Sequence, residues 1–184
     1  QIQALRGQVQ ELKEELYEHH PGNGPDEEQG PPPVMRVVRP TWDNVIYQLP
    51  RHESKKYEWR DLTQIEYLTI THSAVPPTVT VEQIARFHVK NMDWPAIGYH
   101  FCVDDQGRIF KTNELVAVAN HLQKWDPVSV GICVLGNFTR AVPTAPQLAS
   151  TGHLLAWLLQ NLKLPLDAVR GKKEFIDTQS PGLQ

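Results

Sequence analysis

The sequence predicts an α/β domain that follows an N-terminal helix and a linker. Strand-like apolar runs alternate along the chain with segments of helical periodicity, which is the pattern of α/β proteins. The chain has 184 residues and 40% of them are hydrophobic, so one domain with a substantial core is expected. No apolar run approaches the ~20 residues of a membrane-spanning helix, so we expect no membrane span.

Residues 1–18 predict an amphipathic helix. Its apolar side chains recur at alternating spacings of three and four residues, as in a heptad seam: Ile2, Leu5, Val9, Leu12 and Leu16. The seam is shorter than the three or four heptads that define a coiled coil. Two interpretations therefore stay open: a coiled-coil stalk with self-association through residues 1–18, and a single amphipathic helix.

Residues 19–40 predict a linker. This segment holds six Pro and three Gly, a composition that favours extended, non-globular chain. The globular domain then covers residues 41–184. The chain begins with Gln and stops at Gln184, so we expect a fragment or processed form whose domain is truncated at its C-terminus.

The first half of the domain predicts a strand followed by a helix. The run EYLTITHS (66–73) has the composition of a buried strand, and TVEQIARFHVKN (80–91) has helical periodicity. Thr80 can cap this helix, with Gln83 at the capping-box position three residues later. Three residues of the helix are expected on one face: Ile84, Phe87 and His88.

The second half predicts a hairpin, a strand and a long helix. IGYHFCVDDQGRIFKT (97–112) has the strand–turn–strand pattern, with its turn at residues 105–107. Residues 128–138 form another apolar strand-like run, and residues 145–164 predict an amphipathic helix. Five leucines of that helix are expected to face the core: Leu148, Leu155, Leu158, Leu159 and Leu162.

The net charge argues against a nucleic-acid partner, and the positions of the two cysteines argue against a disulfide framework. The net charge of −3, without any basic block, does not favour nucleic acid, because phosphate binding needs clustered Lys and Arg. Cys102 and Cys133 lie in apolar strand-like runs, so we interpret both as buried thiols rather than as a disulfide framework.

The position of a histidine relative to the predicted elements indicates whether it is a candidate for ligand binding or catalysis or is more simply explained by structure. His72, His100 and His121 lie in or just after strand-like runs, and strand ends are where an open sheet concentrates its ligands. His88 and His153 lie on predicted helices, where a surface or boundary position is the default.

Four segments in order carry a family resemblance: YLTITHSAV, GYHFCVDDQGRIFKT, VANHLQKWDPVSVGICVLGNF and VRGKKEFIDTQSPG. Together they resemble the N-acetylmuramoyl-L-alanine amidase type 2 / peptidoglycan recognition protein family over roughly residues 41–184. The resemblance implies a mixed central β-sheet flanked by helices, with a zinc-bearing groove for bacterial peptidoglycan and its muropeptides. It also implies an extracellular or cell-envelope location. The enzymes of the family cut the amide between the lactyl group of N-acetylmuramic acid and L-alanine.

When the zinc ligands of the family are carried over residue by residue, the resemblance implies that two of the three are replaced in this sequence. The first metal histidine of the family falls on His72. Its second zinc histidine falls on Lys172, and its third ligand falls on Ser180. Lysine and serine are poor replacements, because zinc prefers imidazole, thiolate and carboxylate ligands. We therefore expect zinc to be weakly bound or absent.

The remaining groove positions are carried over in the same way. The tyrosine near the bound carbonyl falls on Tyr99, and the residue that helps to hold the developing oxyanion falls on Thr178. The histidine of the opposite groove wall falls on His121. The resemblance thus implies catalytic roles for Tyr99 and Thr178, and substrate binding by Tyr99, His121, Lys172 and Ser180.

Three functions remain as hypotheses. The first is recognition of muropeptides without zinc-dependent cleavage, in which the Lys172 ammonium occupies the place of the metal. The second is an active zinc amidase, which would need a further ligand from Glu174, Asp177 or His121. The third is a structural adaptor that acts through the coiled coil.

Overall fold

The computed structural model describes residues 2–18 and 36–182. In these two ranges the α-helices are α1 (Ile2–Glu18), α2 (Val81–Lys90) and α3 (Ala145–Leu162). The strands are β1 (Asp43–Asn44), β2 (Tyr67–His72), β3 (Phe101–Val103), β4 (Ile109–Lys111), β5 (Ser129–Val134) and β6 (Val169–Gly171). Short 3-10 turns follow β6 and precede β2, β5 and β6.

The strands form one mixed sheet in the order β1-β4-β3-β5-β2-β6. Only the β3–β4 pair is antiparallel among the described pairs, and the other neighbours run parallel. Strands β2 and β5 both lie inside the sheet and pair along their whole lengths. Helices flank the sheet, so the predicted α/β class with a mixed central sheet is confirmed.

Alternation along β2 divides the sheet into two faces. Leu68 and Ile70 belong to the larger core cluster, which α3 covers with Leu154, Leu155 and Leu158. On the opposite face, α2 packs against a smaller cluster that includes Ile84, Ile97, Cys102 and Cys133. Part of this second face carries polar side chains instead of α2, and the candidate site is built there.

The predicted hairpin is present, but its strands are short. Pairing is limited to residues 101–103 and 109–111, and residues 97–100 lie outside the strands. The Asp104 carboxylate closes the turn by accepting hydrogen bonds from the Gln106 and Arg108 amides, at 3.0 Å and 2.9 Å. Gly107 takes a φ of 77°, which few other residues adopt without strain.

Helix α2 begins as predicted, but one residue of its predicted face is misplaced. The Thr80 side chain accepts from the Gln83 amide, and the Gln83 side chain accepts from the Thr80 amide, so the capping box is confirmed. Ile84 and His88 are buried, whereas Phe87 is 55% exposed. The buried face of α2 consists of Val81, Ile84, Ala85 and His88, and Phe87 lies outside it.

Helix α3 covers the large core cluster with the predicted leucines. Leu155, Leu158 and Leu159 are fully buried, while Leu148 and Leu162 pack at the margin of the cluster. Thr144 caps the helix through the Gln147 amide, again in a capping box. No helix in the described ranges is both long enough and apolar enough to cross a lipid bilayer.

Helix α1 packs on its own domain. Leu5 and Val9 are buried in the large core cluster with α3, and Ile2 packs at the margin of that cluster. The Arg6 guanidinium donates hydrogen bonds to the Val169 carbonyl of β6. The same chain therefore covers much of the seam that favoured self-association. Self-association through residues 1–18 stays a prediction, and it requires another surface or release of this helix.

Two parts of the N-terminal predictions lie outside the described residues. They are the side chain of Leu16 and residues 19–35 of the predicted linker.

The two cysteines are buried, as predicted. They stand opposite each other on the parallel strands β3 and β5, and both are free thiols. They form part of the floor beneath Tyr99, which packs against the same cluster.

Candidate functional site

The carboxyl ends of β2 and β6 bring three predicted site residues to one edge of the sheet. His72 ends β2, and Lys172 directly follows the last residue of β6, which pairs parallel to β2. The chain returns at Ser180, whose carbonyl accepts a hydrogen bond of 2.8 Å from the Lys173 amide. The segments that the sequence marks as a metal-site frame therefore do converge.

Ser180 is held by hydrogen bonds within the chain. Its Oγ lies 2.7 Å from Thr71 Oγ1 and accepts from the His72 amide at 3.1 Å. The residue is buried. A neutral hydroxyl committed to these partners has little capacity left to bind a metal ion.

His72 is a neutral, largely buried imidazole. Its Nδ1 accepts a hydrogen bond from the Phe138 amide at 3.1 Å, so the neutral ring carries its proton on Nε2. Burial lowers the pKa of His72, and the positive charge of Lys172 lowers it further. Nε2 makes no hydrogen bond to the described residues and remains available to a ligand.

Lys172 places a partly buried positive charge among neutral rings. Burial lowers the pKa of its ammonium, and the Asp126 carboxylate opposes that shift. The charge of Lys172 in turn lowers the pKa values of His72, His88 and His121. Within residues 2–18 and 36–182, no acceptor forms a hydrogen bond with Lys172 Nζ. The Lys172 ammonium therefore influences the charge state of the histidines around it, although it forms no hydrogen bond of its own with the described residues.

Tyr99 and Thr178 contact other parts of the site: Tyr99 packs beside the buried cysteines, and Thr178 contacts Ser180. The half-buried Tyr99 ring packs against the second core cluster, and burial raises the pKa of its phenol well above the usual range, so the hydroxyl keeps its proton. Thr178 Oγ1 accepts from the Ser180 amide at 3.3 Å. Both hydroxyls border the site, and their role in stabilising an oxyanion stays a prediction.

His121 lies beneath the site rather than on its exposed wall. Its ring is fully buried, with Nδ1 2.7 Å from the Ala119 carbonyl and Nε2 3.0 Å from Ser129 Oγ. The ring rests on Gly131, where a Cβ atom would lie 2.5 Å from its Cγ. Burial lowers the pKa of His121 to about 3. Direct substrate binding by His121 stays a prediction and would require the ring to move.

Ser129, His121 and Asp126 resemble a nucleophilic triad only in their spacing. His121 Nδ1 lies 3.4 Å from Asp126 Oδ1, beside the bond from His121 to Ser129. Ser129 has no exposed surface, and its Oγ is also 2.6 Å from Thr69 Oγ1. A nucleophile must reach its substrate, so this network instead fixes the floor of the site.

His88 belongs to the site, although its helical position suggested a surface or boundary role. Its Nδ1 accepts from the Gly98 amide at 3.1 Å, and its ring lies 5.5 Å from Tyr99 and 4.7 Å from Trp94. Burial, aided by the charge of Lys172, lowers the pKa of His88 to about 4. The signal that could have identified it is its place on the same face of α2 as Ile84 and Ala85.

Arg60 is a buried residue that supports the floor of the site and that the sequence did not reveal. Its buried guanidinium donates to the carbonyls of Leu115 (2.9 Å), Asp126 (2.8 Å) and Ser129 (2.7 Å). Burial lowers the pKa of Arg60 to about 10. The side chain thereby ties together the loops that position His121, and no local pattern marks it.

The donors at this site do not suit zinc. His72 offers only Nε2, which carries the ring proton while Nδ1 accepts from Phe138, Ser180 offers a committed hydroxyl, and Lys172 an ammonium that has no lone pair. In the part of the chain that the structure describes, no three His, Cys, Asp or Glu side chains form a group that could hold a metal ion. The Glu174 carboxylate is engaged elsewhere, by the Gly171 amide at 2.6 Å and by Arg170 at 3.0 Å.

Comparison with known families agrees with this frame. A family model described as N-acetylmuramoyl-L-alanine amidase matches residues 61–183, which include every strand-end residue discussed above. The chain belongs to the N-acetylmuramoyl-L-alanine amidase family. Family membership alone does not establish that the domain keeps the metal ligands.

Individual relatives include both recognition proteins and an endolysin. Peptidoglycan recognition protein 1 of Bos indicus is 25% identical over 127 residues, covering 64% of this chain and 67% of the relative. The Ph2119 endolysin from a Thermus scotoductus bacteriophage is 27% identical, with a TM-score of 0.69 and coverage of 78% and 93%.

A further solved structure contains a bound ligand. It shows tracheal cytotoxin bound to the ectodomain complex of peptidoglycan recognition proteins LCa and LCx. The matching chain is 26% identical to this amidase-family domain, with a TM-score of 0.67, and the match covers 76% of this chain and 88% of that chain.

Proposed function

We propose that the domain binds muropeptide fragments of bacterial peptidoglycan at this site and does not hydrolyse them with zinc. The observation that carries the proposal is the combination of Lys172 and Ser180 at the end of β6 and in the returning chain, where the resemblance places metal ligands. Family membership supports peptidoglycan as the ligand class. The relatives that are named recognition proteins support binding as the activity.

Electrostatics argues against zinc at this position. Catalytic zinc needs three protein ligands and an open position for water. A protonated lysine ~4 Å from a divalent cation is repelled by roughly 8 kcal/mol at an effective dielectric constant of 20. A lone His72 does not offset that repulsion. The remaining polar groups can still bind a ligand through hydrogen bonds, because Tyr99 keeps its proton and His72 Nε2 is free.

The active amidase is the competing hypothesis, and the family name is its support. It would require a metal site completed by a ligand that the described arrangement does not supply. The adaptor hypothesis assigns the activity to α1 instead, and it predicts no saturable muropeptide binding. Because peptidoglycan lies outside the bacterial plasma membrane, our proposal also places the chain in the extracellular space or the cell envelope.

Restoring the two replaced ligands tests the proposal. We expect Lys172→His combined with Ser180→Cys to bind one zinc ion per chain and to acquire turnover of a muramyl peptide. The unchanged protein should bind muropeptide saturably without stoichiometric zinc or turnover. Elemental analysis after zinc loading and dialysis, calorimetric titration, and chromatography of the reaction products measure the three quantities.

The matched control is Lys173→His combined with Ser180→Cys, because Lys173 is the exposed neighbour of Lys172. This control should remain free of stoichiometric zinc. Tightly bound zinc and hydrolysis in the unchanged protein would overturn the non-cleaving assignment. A double variant at residues 172 and 180 that binds no zinc would contradict the identification of these two residues as the replaced ligands.

A further inference from the structure

Helix α1 contacts the chain segment that carries the candidate site. The Arg6 guanidinium donates hydrogen bonds to the Val169 carbonyl of β6, one of them 3.0 Å long from Nε. The same guanidinium lies 4.0 Å from the carboxylate of Glu174. Val169 precedes Lys172 in the chain and Glu174 follows it. A single side chain of α1 therefore contacts the segment on both sides of Lys172.

Glu174 carries this contact into the turn itself. Residues Lys172–Glu174 form the 3-10 turn that follows β6. Glu174 Oε1 accepts a hydrogen bond of 2.6 Å from the Gly171 amide, which closes the turn, and Oε2 accepts from Arg170 at 3.0 Å. Arg170 belongs to β6, whereas Arg6 belongs to a different element. The contact from Arg6 therefore fixes the turn relative to the rest of the domain.

Apolar side chains of α1 support the returning chain next to Ser180. A Cβ atom at Gly171 would lie 3.3 Å from Ile2 Cγ1 and 3.1 Å from Pro181 Cδ, so α1, β6 and the returning chain meet at this glycine. Leu5 and Pro181 also line one small apolar cavity. Helix α1 thus packs against both parts of the segment, the turn at Lys172 and the chain at Ser180.

We infer that Arg6 is a positioning residue of the site: from α1 it holds the turn of Lys172 in the arrangement that binds ligand. The inference rests on the proposed function. A group binds a ligand well only when its neighbours already fix its position, because ordering it on binding costs entropy. The far end of the turn is fixed separately, since the Phe175 ring lies 5.0 Å from Tyr67 and 5.4 Å from Trp125. Loss of Arg6 should therefore shift the turn without unfolding the segment.

Calorimetric titration of the full chain with muramyl dipeptide tests the inference. We expect Arg6→Gln to bind this probe about threefold to tenfold more weakly, which is the scale of one lost hydrogen-bonded contact. Arg6→Lys keeps the charge and a donor, so it should recover most of the affinity. Rescue by lysine would not be expected if the side chain mattered only for filling space.

A double-mutant cycle tests whether Arg6 acts through the turn. Glu174→Gln keeps an acceptor for the Gly171 amide but removes the charge that faces Arg6. Groups of one network give non-additive effects, so the variant with both substitutions should bind no more weakly than the weaker single variant. Effects on affinity that simply add would overturn the inference.

A control variant separates positioning from general stability. Leu162→Ala removes apolar contacts at the margin of the large core cluster, on α3. It should lower the thermal stability and leave the affinity for muramyl dipeptide unchanged. Nitrogen-15 NMR provides a readout without ligand: the amide signals of Gly171 and Lys172 should move in Arg6→Gln and stay in place in Leu162→Ala.

The possible failures are distinguishable. Unchanged affinity of Arg6→Gln, or an equal loss of affinity in Leu162→Ala, overturns the inference and leaves the proposed function standing. Failure of the unchanged protein to bind muramyl dipeptide counts against the proposed function, and the inference falls with it.

Discussion

Replacing Arg60 with methionine is expected to destabilise the domain by about 3 to 5 kcal/mol. The guanidinium is buried and donates to backbone carbonyls of two separate segments, at Leu115 and at Asp126 and Ser129. Methionine fills similar space but donates no hydrogen bond, so these carbonyls lose their donor away from water. Urea denaturation monitored by tryptophan fluorescence measures the change in unfolding free energy.

Two controls separate this effect from a general loss of positive charge. Arg86→Met removes an exposed arginine of α2 that pairs with Glu82, and it should change stability by at most about 0.5 kcal/mol. Arg60→Lys keeps the charge but cannot span the same carbonyls, so it should give an intermediate loss. Equal stability of Arg60→Met and Arg86→Met would contradict the role that we assign to the guanidinium.

Acidification from pH 7 to pH 4 is expected to remove about 3 kcal/mol of stability through His88 alone. Burial, with help from the charge of Lys172, lowers the pKa of His88 from 6.5 to about 4 in the folded protein. Between these values the unfolded chain binds a proton that the folded chain does not. The contribution of His88 to the free energy of unfolding is therefore at its full value above pH 6.5, and it decreases as the pH falls toward 4.

Other buried groups shape the same pH profile, among them His121, Asp126 and the histidines His72 and His100, whose pKa values burial also lowers. His121, whose pKa burial lowers to about 3, acts in the same direction as His88 and extends the loss to lower pH. Asp126 acts in the opposite direction, because burial raises its pKa and the folded state takes up that proton more readily. Urea unfolding at several pH values between 7 and 4 measures the resulting slope.

The variant His88→Asn isolates the contribution of this histidine. Asparagine can still accept the hydrogen bond of the Gly98 amide, which now goes to His88 Nδ1, but it does not titrate. The stability of His88→Asn should depend less steeply on pH in this range. The matched control is His153→Asn on α3, whose ring contacts the Val38 carbonyl far along the chain from the site. A similar flattening in both variants would contradict the assignment.

Local signals in the sequence predicted the elements of the fold. The capping boxes at Thr80 and Thr144 mark helix starts, and the first was predicted from the spacing of Thr80 and Gln83 alone. Local signals of this kind succeed because they depend on neighbours within a few residues. The family resemblance, rather than a local signal, carried His72 and Ser180 to one metal site, and the structure brings the two residues into contact.

Long-range contacts account for what the sequence could not provide. Arg60 reaches carbonyls that lie 55 to 69 residues away, and nothing near it in sequence distinguishes it from a surface arginine. Helical periodicity grouped Ile84, Phe87 and His88, but it could not show that the buried side of the helix includes Val81 and Ala85 and leaves Phe87 exposed. A heptad seam, likewise, does not specify whether its partner is another chain or α3.

The position of α1 affects how far the edge of the sheet is exposed to aggregation. Strand β6 ends the sheet, and unpaired strand edges are templates on which other chains can assemble. The Arg6 guanidinium donates a hydrogen bond to the Val169 carbonyl of β6, and helix α1 contacts this edge strand. Deleting α1 is therefore expected to expose the core surface that Leu5 and Val9 now cover, together with the edge of β6, and to make the domain more prone to aggregation.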